Sequence, residues 1–146
     1  MSVKRYKSTV SLNTNDFIVV GIHTDAPPFL ASWCLCDTFS IQFVFEYADF
    51  TINLLEEEEN KHNAYYFKGS AMYPKMWLVQ NQGSFKKLVT TKPTPDYLLI
   101  IDDNDNLLDF ESCMGQLKRI KHFQMIFGFP NDNKAKFVWL QELNHL

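Results

Sequence analysis

Two nearly unbroken apolar runs constrain this chain more than any other feature. Asp16-Phe17-Ile18-Val19-Val20-Gly21-Ile22 is largely β-branched, and Asp96-Tyr97-Leu98-Leu99-Ile100-Ile101 repeats the pattern late in the chain. A strand with one wet face alternates apolar and polar residues, whereas a strand covered on both faces need not. Both runs are therefore predicted to be interior strands of a covered sheet.

The rest of the chain supplies what such a sheet needs. Thr24 or Asp25 can cap a helix over about 26 to 39 whose first turn accepts Pro27 and Pro28. Phe29, Leu30, Trp33 and Cys34 recur at helical spacing, so this helix is expected to be buried along most of its length, with Trp33 inward. Ile41, Phe43, Phe45 and Tyr47 alternate with Gln42, Val44 and Glu46, and Phe50, Ile52 and Leu54 resume the period of two, the pattern of an antiparallel meander. Glu56 to Asn63 offers nothing apolar to bury and is predicted to be a solvated loop. Strands follow over 64 to 68 and 72 to 80, and Pro74 argues for an edge or a bulge in the second.

A second helix is predicted over 107 to 121, with Phe110, Cys113, Met114, Leu117 and Ile120 on one face and Asp103, Asp105 or Asn106 as its N-cap. Lys118, Arg119 and Lys121 near its end complement the helix dipole. Gln124 to Phe129 and Ala135 to Leu140 flank Pro130-Asn131-Asp132-Asn133, a hairpin signal. The order amounts to two β-α-β units joined by a meander. The expected fold is α+β: a two-layer sandwich of a mainly antiparallel sheet with two helices packed on one face. No repeat or linker divides the 146 residues, so one domain is expected, with residues 1 to 8 as a flexible N-terminal arm.

Composition narrows the function classes. Hydrophobic residues at 46% and charged residues at 21% are too apolar for a disordered chain. Fourteen Lys and Arg against seventeen Asp and Glu give a net charge of −3, which provides no overall attraction to nucleic acid or to an anionic membrane. No stretch approaches a spanning helix, and MSVKRYKSTVSLNTND lacks the apolar region of a secretory signal, so a cytoplasmic protein without a membrane partner is expected. The three cysteines are expected to be reduced core thiols.

Motifs for chemistry are sparse. Cys34 and Cys36 lie two apart on a predicted helix, about 200° around its axis, and cannot share one metal ion. Asp102, Asn104 and Asn106 match the opening of a calcium loop, but Leu107 stands at the glycine position and Cys113 at that of the last carboxylate. No metal and no cofactor are therefore expected. No Gly-x-Ser-x-Gly elbow is present. His62, His122 and His145 are read as surface histidines.

The best candidate site is His23-Thr24-Asp25, where the first strand meets the first helix and where an anion or polar ligand can meet a helix N-terminus. An enzyme would use His23 and Asp25 there as acid and base, with Asp96 nearby only if its strand is adjacent. Basic residues also mix with aromatic ones at Lys4 to Lys7, at Phe85-Lys86-Lys87 and at Lys118 to Phe123, the raw material of an RNA-binding surface. The acidic net charge and the separation of these stretches favour solvated surface instead.

Asp16 to His23, the helix after it and Asp96 to Ile101 together resemble the small bacterial IPExxxVDY family. Val89-Thr90-Thr91 stand where that family has Ile-Pro-Glu, and Pro95 replaces the Val before Asp96-Tyr97. The resemblance implies a compact cytoplasmic bacterial protein and implies no activity, cofactor or site residue. The function expected is a non-catalytic binding or assembly module contacting a protein partner or a second copy. With an aromatic content of 15% and thirteen Phe, a domain of this size is expected to leave some aromatic side chains facing a partner. The alternatives are a small-molecule enzyme or ligand-binding domain at His23-Thr24-Asp25, and an RNA-associated protein.

Overall fold

Successive residues on the central strands point to opposite sides, and both sides are dry. In a computed structural model, residues 17–41, 44–45, 50–53, 59–103, 107–130, 137, 139–140 and 143 are described. Among them β1 (Phe17–His23), α1 (Pro28–Phe39), β2 (Val44–Phe45), β3 (Phe50–Asn53), β4 (Glu59–His62) and β5 (Ala64–Phe67) come first. Then follow β6 (Lys75–Gln80), β7 (Tyr97–Asp102), α2 (Phe110–Lys118) and β8 (Met125–Gly128).

The described strands form a six-stranded sheet in the order β2-β5-β6-β7-β1-β8, with β3 and β4 paired separately. Every pairing is antiparallel. The two apolar runs, β1 and β7, are interior and adjacent, in the register Phe17 opposite Asp102 through Ile22 opposite Tyr97. β7 and β8 flank β1 and both oppose it, so α2 connects two parallel strands across it. The same alternation makes β1 and β2, joined through α1, parallel to each other, which preserves the two expected β-α-β units.

Both helices pack on one face of the sheet. Val20 and Ile22 of β1, Leu99 and Ile101 of β7, and Met76 and Leu78 of β6 meet Ala31, Cys34, Leu35 and Phe39 of α1, and Cys113 and Leu117 of α2. The fold is thus α+β. The opposite face is covered as well, which is why β1 and β7 do not alternate. There Phe17, Val19, Trp77, Val79, Leu98 and Ile100 pack with Phe129 and with Phe137, Trp139, Leu140 and Leu143. Phe137 stands 5.3 Å from Phe129 and 5.4 Å from Trp139, centroid to centroid. A Cβ at Gly21 would lie 2.6 Å from the Phe127 ring, so glycine lets that ring lie over the strand.

Several local expectations are corrected. Pro74 makes β6 neither an edge nor a bulged strand, because β6 starts one residue beyond it and lies between β5 and β7. Leu140 N–H donates to Phe137 O in a short helical turn, so Trp139 and Leu140 are not the second arm of a hairpin. Residues 131–136, which include Asn131 to Asn133 of the turn signal, lie outside the described set. Phe43, Tyr47, Leu54 and residues 1–8 also lie outside it.

The segment expected to be a solvated loop is in part β4, with Asn60 2% and His62 1% exposed. Hydrogen bonding, rather than apolarity, allows their burial. Asn60 Nδ2 donates to His62 Nε2 at 2.7 Å and to Lys86 O at 3.0 Å, while its Oδ1 accepts from Phe85 N at 2.9 Å and Lys86 N at 3.1 Å. His62 Nδ1 donates to Gln80 O at 2.8 Å, which fixes the neutral tautomer with a bare Nε2. His62 is accordingly not a surface histidine. Asn81 holds the next stretch in the same way, through Val89 N, Val89 O and Pro95 O.

Among the described residues, no helix is long and apolar enough to cross a membrane. Cys34, Cys36 and Cys113 form no disulfide. Burial raises the Cys34 thiol above its ordinary value, with Asp37 adding to the effect, and pushes Cys113 up to about 11.

Candidate functional site

Pairing of β1 with β7 brings His23, Thr24 and Asp96 together. Asp96 N–H donates to Ile22 O at 2.8 Å, and Thr24 N–H donates to Asp96 Oδ2 at 2.9 Å. His23 Nδ1 lies 3.6 Å from the same Oδ2 and 3.3 Å from Thr94 O. The Thr24 hydroxyl donates to His122 O at 2.6 Å and accepts from Ala26 N at 3.1 Å. Tyr97 OH then donates to Ala26 O at 2.7 Å, and burial pushes this phenol up to about 12. Asp25 is exposed and takes no part in these bonds.

These contacts make a clasp. One turn is tied to the start of β7 by Asp96 and to the segment before β8 by Thr24. Thr24 is buried and cannot meet a ligand. Neither Thr24 nor Asp25 caps α1: the N-cap is Pro27, without a side-chain bond, and Leu30 and Ala31 N–H both donate to Pro27 O. Two successive prolines move the helix start beyond the reach of the threonine. His23 and Asp96 keep about half their side-chain surface in water, at 48% and 47%. An acid–base pair works from a cleft that excludes water, and neither residue lines the concavities described next.

α1 supplies the feature the sequence pattern hid. Its buried stripe is Ala31, Cys34, Leu35 and Phe39, and Trp33 points away from it. Phe29 is 71% exposed and Trp33 59% exposed, against the expectation that both face inward. Spaced i, i+4, they neighbour each other on the outer face. The helix carries a single charged residue, Asp37.

Two concavities meet beside this helix. One, of about 460 Å³, lies between α1 and the chain leaving α2, among Trp33, Asp37, Arg119, Lys121 and His122. The other, of about 600 Å³, lies among Phe39, Ile41, Met72 and Tyr73. They share Thr38 and Gln116 and so adjoin over the helical layer, the two together forming a trough. The Phe39 and Tyr73 rings stand 5.6 Å apart at the second end. α1 stops there because Ser40 turns left-handed, at φ 53°, with its N–H on Cys36 O.

The short α2 leaves Lys121 and His122 beyond its end. Its N-cap is Asp109, whose carboxylate accepts from Ser112 N, rather than Asp103, which instead accepts from Leu107 and Leu108 N. Thr24, by holding His122 O, connects the clasp to the trough. Sequence reasoning missed the trough because its walls come from α1, α2 and the β5–β6 turn. The available signal was α1 itself, whose apolar residues are not confined to one face and whose single charge is Asp37.

The three basic-aromatic stretches fare differently. Phe85, Lys86 and Lys87 are exposed, whereas the Phe123 ring is buried and offers no stacking face. Lys4 to Lys7 lie outside the described residues. Among the described residues no cluster of three His, Cys, Asp or Glu side chains gathers as a metal site requires. No protein-family model matches the chain, and none of the curated proteins matches it significantly.

Proposed function

We propose that the protein is a non-catalytic binding module that engages a protein partner through the outer face of α1. The observation that carries this reading is the pair Phe29 and Trp33, two large aromatic side chains left in water on neighbouring turns of a helix that packs well on its other side. Covering such side chains is worth roughly 1.5–3 kcal/mol each, and aromatic anchors of this kind dominate binding energy at interfaces. The trough beside them gives the face relief that a partner can fill.

An acid–base role for His23 and Asp25 has less support, because Asp25 takes no part in the hydrogen bonds of the junction and Asp96, the carboxylate beside His23, already accepts from Thr24 N. A cytoplasmic setting belongs to the same proposal and is supported by the unbridged thiols of Cys34, Cys36 and Cys113. Kinship with the IPExxxVDY family is likewise proposed on the residues of β1, α1 and β7, and it adds no activity.

A photo-crosslinking residue at position 33, introduced into the protein in its native cell, tests the reading. A discrete protein adduct that is lost in a Phe29→Ser background is expected. Adducts no different from those formed at the exposed Glu111 position would overturn it.

A further inference from the structure

We infer that the trough receives an acidic peptide segment anchored by an apolar side chain, a conclusion that rests on reading the α1 face as a partner surface. The two ends of the trough differ in chemistry. One end presents Arg119, Lys121 and His122 against a single carboxylate, Asp37. The other is apolar, with Ile41 and Tyr73 half-buried and Met72 75% exposed.

Lys118 and Arg119 complement the carbonyl end of α2, but Lys121 and His122 lie past the first turn over which a helix dipole acts. This cluster is a local exception on a chain whose net charge is −3. Covering Arg119 and Lys121 with a basic segment would add repulsion and with a neutral one would return only uncharged acceptors, whereas carboxylates return charge-assisted hydrogen bonds. The Phe29 and Trp33 rings extend the apolar contact along α1 from the same end.

Panning displayed random dodecapeptides on the intact protein, with counter-selection on a Trp33→Ser/Arg119→Glu variant, tests this. Both substituted side chains are exposed, and the variant should melt with the wild type. Selected peptides should combine Asp or Glu with an apolar anchor. They should bind an Arg119→Glu or Lys121→Glu protein at least about tenfold more weakly, and should weaken with salt.

Enrichment of neutral or basic peptides, or no enrichment over the variant, would overturn the inference. So would a single-stranded oligouridylate bound through Arg119 and Lys121, or a dimer in sedimentation that Trp33→Ser dissolves, since RNA or a second copy would then be the occupant. A discrete adduct at position 33 together with neutral selected peptides would retain the partner surface and sink only the acidic occupant. No adduct and no enrichment would sink both.

Discussion

Replacing Thr24 with Val tests whether the junction of β1 and α1 is a clasp. The shape of the side chain is kept and its hydroxyl is lost, so the cost comes from two bonds: the one donated to His122 O at 2.6 Å and the one accepted from Ala26 N at 3.1 Å. Ala26 is buried, so its N–H is left without water, at about 1–3 kcal/mol. His122 is exposed, its carbonyl rehydrates, and only the net bond of about 0.5–1.5 kcal/mol is lost there. The sum, about 1.5–4.5 kcal/mol, is a large share of the 5–15 kcal/mol that holds a domain of this kind together. In equilibrium urea unfolding, where slopes run about 1–3 kcal/mol per molar, the midpoint should fall by about 1–2 M. His23→Ala is the control. Its contact with Asp96, an ion pair only when the imidazole is protonated, is 3.6 Å long and half-solvated, such pairs contribute about 0–1 kcal/mol, and its midpoint should move by less than about 0.5 M. Equal shifts, or a larger one for His23→Ala, would show that the junction is held by the charged pair and would refute the clasp.

Trp33→Ala should cost less than about 1 kcal/mol because that ring faces water, whereas Leu35→Ala, a neighbour on the buried stripe, should cost about 2–5 kcal/mol; thermal melts of the two that coincide would reverse the orientation of α1. Gly83→Ala places a Cβ against Asn60, 2.7 Å from Cγ and Nδ2, a side chain held by four hydrogen bonds that cannot step aside. A loss of about 1–3 kcal/mol is expected, and an unchanged melting temperature would show that the 83–87 loop gives way. Burial lowers the His62 pKa below its ordinary 6.5, so the folded state binds its proton less readily than the unfolded chain does. The stability from this group is fully present above about 6.5 and is lost as pH falls through the lower folded value. An NMR titration of the His62 ring with a midpoint at or above 6.5 would contradict this.

The residues of β1 and β7 declare their own place. A run such as Ile18-Val19-Val20 or Leu98-Leu99-Ile100 has no side chain suited to water on either face, and any fold must bury it twice. That requirement, with the spacing of Cys113 and Leu117 on α2, determined an α+β layer structure before any contact was known. It also made Asp96 a conditional neighbour of His23, because strand pairing would bring the two run ends together.

Tertiary structure decided the rest, wherever a residue's environment is built from distant chain. Asn60 and His62 look like loop residues until Lys86 O and Gln80 O arrive as partners, since a polar group is buried or exposed according to bonds that sequence proximity does not supply. Trp33 was misplaced for the opposite reason: α1 has apolar residues on several faces, so the spacing of Phe29, Leu30, Trp33 and Cys34 does not single out the covered one, and only the position of the sheet selects it. The trough depends on three elements meeting, and the charge at its end depends on α2 stopping at Lys118, before Lys121 and His122. Apolar burial acts through a residue's own surface and can be read locally. Orientation and hydrogen-bond satisfaction belong to pairs, and the pairs exist only once the sheet has formed.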